Sequence, residues 1–330
     1  MGVNLRDLII AHEIEWSELK GRTIAVDALN VLYQFLSIIR QPDGTPLMDS
    51  KGNITSHLTG LFYRTVRVME QGVKPVYVYD GKPHDLKKRE LERRKEAKKI
   101  ALEEYEAAKE RGDLEAMKKH AMRTSRFTKE MLKDSKDLLE AMGIPWIQAP
   151  HEGEVQCARM AKAGIVYATG SQDYDTLLAG SPHLIKNMTM QERFHLERID
   201  LEENLKALGL TQEQLVEIAI LVGTDYNLGG VRGLGPKKAL KAVKEKRFEE
   251  YGEQIESEEG VDVGLLKSLF LEPEVIDNAD IKFEKADKGK VDRILVDGHG
   301  FSEERVEKAL TRLGDAYEKT ISQSSLSQWF

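Results

Sequence analysis

The sequence predicts an α/β fold: a mostly parallel central sheet flanked by helices, carrying a helical insertion and a helical C-terminal region. Three observations predict it. Short apolar runs ending near an acidic residue recur through the first half of the chain. Most are followed by a helical pattern, the alternation that builds parallel sheets with right-handed crossovers. Beyond Asp200 the strand signal gives way to helices punctuated by glycine.

Thr23-Ile-Ala-Val-Asp27 follows a Gly-Arg turn and reads as a buried strand ending in a carboxylate. Residues 28–39 are apolar on nearly every side, which suits a buried helix. A Pro/Gly loop over 41–46 and 51–53 leads into helical periodicity over 55–71. Residues 75–80 form the second expected strand, again with an acid, Asp80, at its end. Residues 85–142 hold two long charged helical patterns broken near Gly112-Asp113. Strands are expected over 144–148 and 165–169, with a helix over 152–162 between them. An apolar helix ends at Val222, an acidic stretch covers 245–287, and 322–330 reads as a polar tail with two aromatics. The chain shows no internal repeat and no low-complexity block.

The 330 residues suggest about two domains, and 41% hydrophobic content is ordinary for a chain with a packed core. The single cysteine, Cys157, excludes an intramolecular disulfide framework and fits a reducing compartment. No apolar run approaches the ~20 residues of a membrane helix, and no signal peptide is expected at the start. Gly2 is followed by Arg6 where N-myristoylation needs Ser or Thr, so no lipid anchor is expected. The formal net charge of −7 would ordinarily disfavour a polyanionic partner. That average hides a segregation: residues 87–136 carry 17 basic and 11 acidic side chains. Local potential, not net charge, steers a polyanion, so DNA remains a candidate partner.

Six acids fall where strands should end or the next helix should begin: Asp27, Asp80, Glu152, Glu154, Asp173 and Asp175. A seventh, Asp225, follows the apolar helix that ends at Val222. In parallel sheets ligands bind outside the carboxyl ends of the strands. Converging carboxylates raise each other's pKa unless a cation neutralises them. Oxygen ligands without His or Cys select Mg²⁺ or Mn²⁺ over zinc. Two such ions ~4 Å apart are the apparatus of phosphodiester hydrolysis. Any one of these acids is more simply a helix cap or a complement to a helix dipole. Caps need not be carboxylates, however, so the set is more informative than its members. Asp173-Tyr-Asp175-Thr176 also resembles the Asp-x-Asp of haloacid-dehalogenase-type phosphatases, but it lies mid-chain and its threonine comes one residue early.

Taken together, the motifs resemble the flap endonucleases, structure-specific members of the 5′-nuclease family, and the archaeal type above all. The matching stretches are Ala25-Val-Asp-Ala28, Tyr33-Gln-Phe-Leu36, Thr55-Ser-His-Leu58, Leu61-Phe-Tyr-Arg-Thr65, Val78-Tyr-Asp-Gly-Lys-Pro83 and Met142-Gly-Ile-Pro145. They continue through Ala149-Pro-His-Glu-Gly-Glu154, Ser171-Gln-Asp-Tyr-Asp175, Val222-Gly-Thr-Asp-Tyr-Asn227 and Gly233-Leu-Gly-Pro-Lys-Lys238. The likeness runs in order over almost the whole chain.

The resemblance implies a PIN-like 5′-nuclease core divided into an N-terminal nuclease region (1–84), a helical arch (85–130) and an internal region completing the site (131–227). A helix–two-turn–helix with further helices (228–320) and a clamp-binding tail (321–330) would follow. It implies that the seven acids hold two Mg²⁺, with Mn²⁺ as a substitute. Lys87 and Arg94, seven residues apart on one helical face, would contact the scissile phosphate. The plain alternative for this basic run is a solvated helix with i,i+4 pairs such as Glu90–Arg94. Tyr33 would stack on a base near the cut, and Thr55 would lie near a one-nucleotide 3′ flap. Gly233, Gly235, Lys237 and Lys238 would grip the downstream duplex, with K⁺ bound through backbone groups; a plain helix–helix connection is the simpler reading of that turn. Gln323, Leu326, Trp329 and Phe330 have the spacing of a sliding-clamp peptide (proliferating-cell nuclear antigen type), with apolar anchors on one side of a short turn.

The implied activity is Mg²⁺-dependent hydrolysis near a 5′ flap, in Okazaki-fragment maturation and repair, by a monomer without membrane attachment. Its place would be the cytoplasm, on the nucleoid, in an archaeon and the nucleus in a eukaryote. Two other classes are a related 5′–3′ exonuclease or bubble-cleaving nuclease, and a non-catalytic clamp-associated DNA-binding scaffold. Four features depart from the family pattern: His151 before Glu152, His84 in place of proline, Arg6, and a short loop over 188–196. Gly2, which the family packs near the site, is retained.

Overall fold

The computed structural model describes residues 2–121, 127–190 and 195–322. Its strands are β1 (His12–Ile14), β2 (Thr23–Asp27), β3 (Lys74–Tyr79), β4 (Trp146–Gln148), β5 (Ala168–Gly170), β6 (His183–Lys186) and β7 (Leu196–Asp200). They form one seven-stranded sheet in the order β1-β7-β6-β5-β2-β3-β4. The pairings β2–β3, β2–β5, β3–β4 and β5–β6 are parallel, whereas β7 runs antiparallel to β1 and β6. The mostly parallel expectation holds, with an antiparallel edge that the sequence reading did not contain. That edge is built of short strands rich in charge, such as Leu196-Glu-Arg-Ile-Asp200, which lack the continuous apolar run of β2.

The helices are α1 (Ala28–Ile38), α2 (Ser56–Glu70), α3 (Lys88–Glu110), α4 (Leu114–Ala121), α5 (Lys129–Ala141), α6 (Gly153–Lys162) and α7 (Asp175–Leu178). They continue with α8 (Leu201–Leu208), α9 (Gln212–Val222), α10 (Pro236–Lys244), α11 (Phe248–Glu259), α12 (Val263–Leu271), α13 (Lys288–Asp292) and α14 (Glu303–Tyr317). Where two long helices were expected over 85–142, the described residues form three. The break falls at Gly112 as anticipated, where φ of +67° closes α3 in a conformation costly for other residues.

Alternation along the central strands puts apolar groups on both faces. Ile24, Val26, Tyr77 and Tyr79 pack into a core with α1, α2, α5 and α14. Ala25, Val76 and Val78 face the opposite side, against Cys157, Met160 and Ala161 of α6. Leu184 and Ile199 join a third cluster built on α9, α10 and α12. Because the middle strands are buried on both faces, their polar atoms are confined to the ends, and there the acids emerge. Among the described residues no helix is long and apolar enough to cross a membrane.

Candidate active site

Asp27 is the last residue of β2, and its carboxylate accepts the Asn30 amide at 3.0 Å, capping α1. Asp80 lies just past β3 and accepts the Gly153 amide at 2.7 Å from the first turn of α6. Glu152 is the N-cap of α6, and Glu154 sits in its first turn. Asp173 and Asp175 follow β5; Asp173 is held by Asn30 Nδ2 at 2.9 Å, and Asp175 accepts the Val3 amide at 2.8 Å. Asp225 follows α9. One cap expected on bland grounds is therefore real, at Asp27, while Glu152 occupies an N-cap position without a side-chain cap bond; both are also members of the acidic group.

Burial first, then the Asp80 charge, pushes the Asp27 carboxyl up to about 8. Burial and Glu152 push Asp80 up to about 6. Asp175 rises to about 7 through burial, opposed by the Val3 amide and reinforced by Asp173 and Asp225. Glu154 is pushed well above its ordinary value by burial and then by Asp175. Each charge named as raising a carboxyl belongs to another member of the seven, so the acids converge electrostatically from five segments of chain.

Two cations enter this group. Lys87 is buried and bonds Glu152, with Asp225 Oδ2 at 3.6 Å and the Tyr226 ring centroid at 5.7 Å. Burial alone would lower its pKa, but Glu152 and Glu154, with Tyr226 and Asp225, raise it. Arg94 reaches Asp225 Oδ2 at 2.6 Å through Nη2 while its Nε donates to Glu90 at 2.7 Å. The i,i+4 pair anticipated for a solvated helix is present, but Glu90 is buried and aims Arg94 at the acids.

The peripheral residues are placed unevenly. Tyr33 is 38% exposed, with the Phe127 ring 5.8 Å away and Lys98 Nζ 5.0 Å from its centroid. Thr55 is buried at the start of α2, where its carbonyl accepts the Thr59 hydroxyl. Gly233, Gly235, Lys237 and Lys238 are exposed around the start of α10, which packs on α9. Gly233 has φ of +83° and its carbonyl accepts Lys238 Nζ at 3.0 Å. Gln323, Leu326, Trp329 and Phe330 lie outside the described residues. His84 and His151 meet edge to face at 6.5 Å beside the site.

Sequence reasoning missed Asn30 and Tyr226, which stand against Asp173 and Lys87, and it read Glu90 only as half of a solvated pair with Arg94. Asn30 carried a faint signal, since it stands three residues after Asp27, the spacing of a cap. Gly2 is needed because a Cβ there would lie 2.5 Å from Asp175 Oδ1.

Among the described residues no three His, Cys, Asp or Glu side chains stand close enough together to cage a metal ion as placed. Lys87 and Arg94 instead lie among the acids and balance part of their charge. The donor chemistry nonetheless fits hard dications: oxygen ligands only, with Asp27, Asp80, Glu154 and Asp175 raised in pKa by burial and then by neighbouring acids whose charge a dication would offset.

The XPG N-terminal domain family matches residues 1–101, and the XPG I-region family matches residues 143–225. The chain is 52% identical to flap endonuclease 1 of Thermococcus onnurineus, over all of this chain and 99% of that protein. It is 50% identical to flap endonuclease 1 of Pyrococcus furiosus, over all of this chain and 99% of that protein. The solved flap endonuclease-1 from Methanococcus jannaschii superposes with a TM-score of 0.80 at 39% identity, covering 96% of this chain and 99% of that one. The catalytic core of Rad2 in complex with DNA substrate superposes at 0.70 with 26% identity, covering 92% of this chain and 96% of that one.

Proposed function

The chain belongs to the flap endonuclease family, and on that premise we propose that it hydrolyses a DNA phosphodiester near the junction of a 5′ flap and duplex, leaving 5′-phosphate and 3′-hydroxyl ends. It is a structure-specific nuclease acting on DNA. The observation that carries this reading is the mutual electrostatic influence of the seven acids, with Lys87 and Arg94 among them, at the carboxyl ends of the parallel strands.

Nucleases of this kind use divalent metal ions. In our reading Asp27, Asp80, Glu152, Glu154, Asp173, Asp175 and Asp225 hold two Mg²⁺, or Mn²⁺ in their place. When bound, the ions supply Lewis acidity for phosphodiester hydrolysis and neutralise the carboxylates. Lys87 and Arg94 turn from the acids to the scissile phosphate and stabilise the charge that develops on it. Tyr33, midway along α1 and exposed, offers a ring on which a base near the cut stacks. The buried Thr55 acts near a 3′ flap by shaping the start of α2 rather than by lying open to it. The turn at Gly233 and Gly235, with Lys237 and Lys238, grips phosphates of the downstream duplex through the start of α10, and K⁺ is its proposed backbone ligand. The regional division given above, with 85–130 as the arch, completes the reading. A monomer that matures Okazaki fragments and repairs DNA, on the nucleoid of an archaeal cell, accounts for these parts together.

The test is cleavage of labelled flap, nick, bubble and single-stranded substrates, with Mg²⁺ and with EDTA. We expect the flap to be cut fastest and EDTA to stop all cleavage. Equal cutting of bubble or single strand would favour an exonuclease or bubble-cleaving relative, and cleavage in EDTA would refute the metal reading.

The tail supplies a separate expectation. Gln323, Leu326, Trp329 and Phe330 form the proposed clamp-binding peptide, whose aromatic anchors should carry most of the contact energy. Trp329→Ala with Phe330→Ala should abolish pull-down by a sliding clamp while leaving clamp-free flap cleavage unchanged. Retained pull-down would remove the tail from the interface.

A further inference from the structure

Between α12 and α13 the chain crosses the molecule without helix or strand, over residues 272–287. Its course follows α6, the helix that presents Glu152 and Glu154. Gln156 is fully buried, and its amide bonds both backbone groups of Ile276: Nε2 donates to the carbonyl at 2.9 Å and Oε1 accepts the amide at 2.7 Å. A helical side chain here pairs with a strap as a neighbouring strand would. One turn further on, Arg159 bonds Asp277 at 3.1 Å. Just before the helix, His151 donates through Nδ1 to the Lys82 carbonyl at 2.8 Å, and its Nε2 pairs with Glu274 at 3.1 Å. The strap's far end is pinned by the Glu284 amide to the Gly143 carbonyl at 2.9 Å.

The N-terminal end of α6 bears a repulsion. Glu152 repels Asp80, and Glu154 repels Asp175. The Gly153 amide holds Asp80 at 2.7 Å, so α6 cannot shift outward without losing that bond. Gln156 itself closes the first turn, its own amide donating to the Glu152 carbonyl at 3.1 Å. It therefore joins the residue that needs holding to the strap that can hold it.

We propose that the 272–287 strap is a positioning device for the active site, with Gln156 as its positioning residue, keeping α6 and so Glu152 and Glu154 at the height the metal-binding acids require. The inference rests on the proposed function and adds a residue to it. Gln156→Leu keeps the volume but leaves two backbone groups of Ile276 without partners. On full-length protein we expect kcat on a flap to fall ~10- to 100-fold, as misplacement of reacting groups by about an ångström does. KM for DNA should stay within about twofold, because no DNA contact is removed. The Mg²⁺ concentration for half-maximal cleavage should rise, and hydrogen exchange of the metal-free protein should quicken at the Gly153 and Glu154 amides.

Wild-type kcat and Mg²⁺ dependence in Gln156→Leu would overturn the proposal, as would a change confined to KM. Should that variant fail to fold, the exposed pair Glu274→Ala with Arg159→Ala decides. A raised Mg²⁺ requirement at unchanged KM supports the strap, and an unchanged requirement overturns it. The wild-type chain run alongside separates this from the larger reading, since its failure to cut flaps would refute the function and not the strap.

Discussion

Replacing Asp175 with asparagine is expected to lower flap cleavage ~1,000-fold or more, a loss of about 4 kcal/mol in transition-state stabilisation. The carboxylate is 3% exposed and accepts the Val3 amide at 2.8 Å. Asparagine keeps the shape and an oxygen for that amide, so the fold is retained while one negative charge leaves the group. Burial and neighbouring acids hold Asp175 at about 7. The substitution should therefore raise the unfolding midpoint in EDTA by relieving repulsion, even as it removes activity in Mg²⁺. A simple packing defect would lower both. Activity within a tenth of wild type would show that Asp175 is no ligand. Gly2→Ala reaches the same carboxylate from outside, because its Cβ would meet Asp175 Oδ1 at 2.5 Å, and it should reduce cleavage without changing any charge.

The acids were legible in the sequence because a doubly covered parallel strand is apolar along its length and shows its chemistry only at its end. Asp27 and Asp80 stand at such ends, and β2 and β3 lie side by side in the parallel part of the sheet. Glu152 and Glu154 open a helix that must cross back over the sheet, so their nearness to Asp80 follows from topology. The residues that hold the acids were not legible in that way. Gly2 meets Asp175, and Gln156 meets Ile276, across 120 residues or more of chain. No local pattern encodes such a contact. Glu90 was misjudged for a different reason: in a helix with so many charges its periodicity is that of a solvated face, and its burial depends on what packs from outside. The same holds for β6 and β7, whose pairing supplies what their composition does not.

Lys87→Ala and Arg94→Ala form the second large expectation, and they separate catalysis from charge balance. Each is expected to lower kcat on a flap ~100- to 1,000-fold, the range for removing one donor aimed at developing charge. DNA affinity should change only a few-fold, since many other phosphate contacts remain. In the protein without DNA these cations also offset the acids: Lys87 bonds Glu152, and Arg94 bonds Asp225 at 2.6 Å. Removing Lys87 leaves buried carboxylates with less compensation, so Lys87→Ala should unfold at a lower temperature in EDTA than wild type and recover in Mg²⁺. Recovery of stability without recovery of turnover would mean that the dications replace the lysine's structural charge but not its contact with the phosphate. Arg94→Lys sharpens the distinction, because a single ammonium cannot bridge buried Glu90 and Asp225 as the guanidinium does. Because Arg93 still bonds Glu90 and the positive charge beside Asp225 is kept, it should hold most of the stability in EDTA and still lose much of kcat. Equal losses in DNA binding and turnover for Lys87→Ala and Arg94→Ala would reduce both side chains to DNA anchors, and the catalytic assignment would then fall to the carboxylates alone.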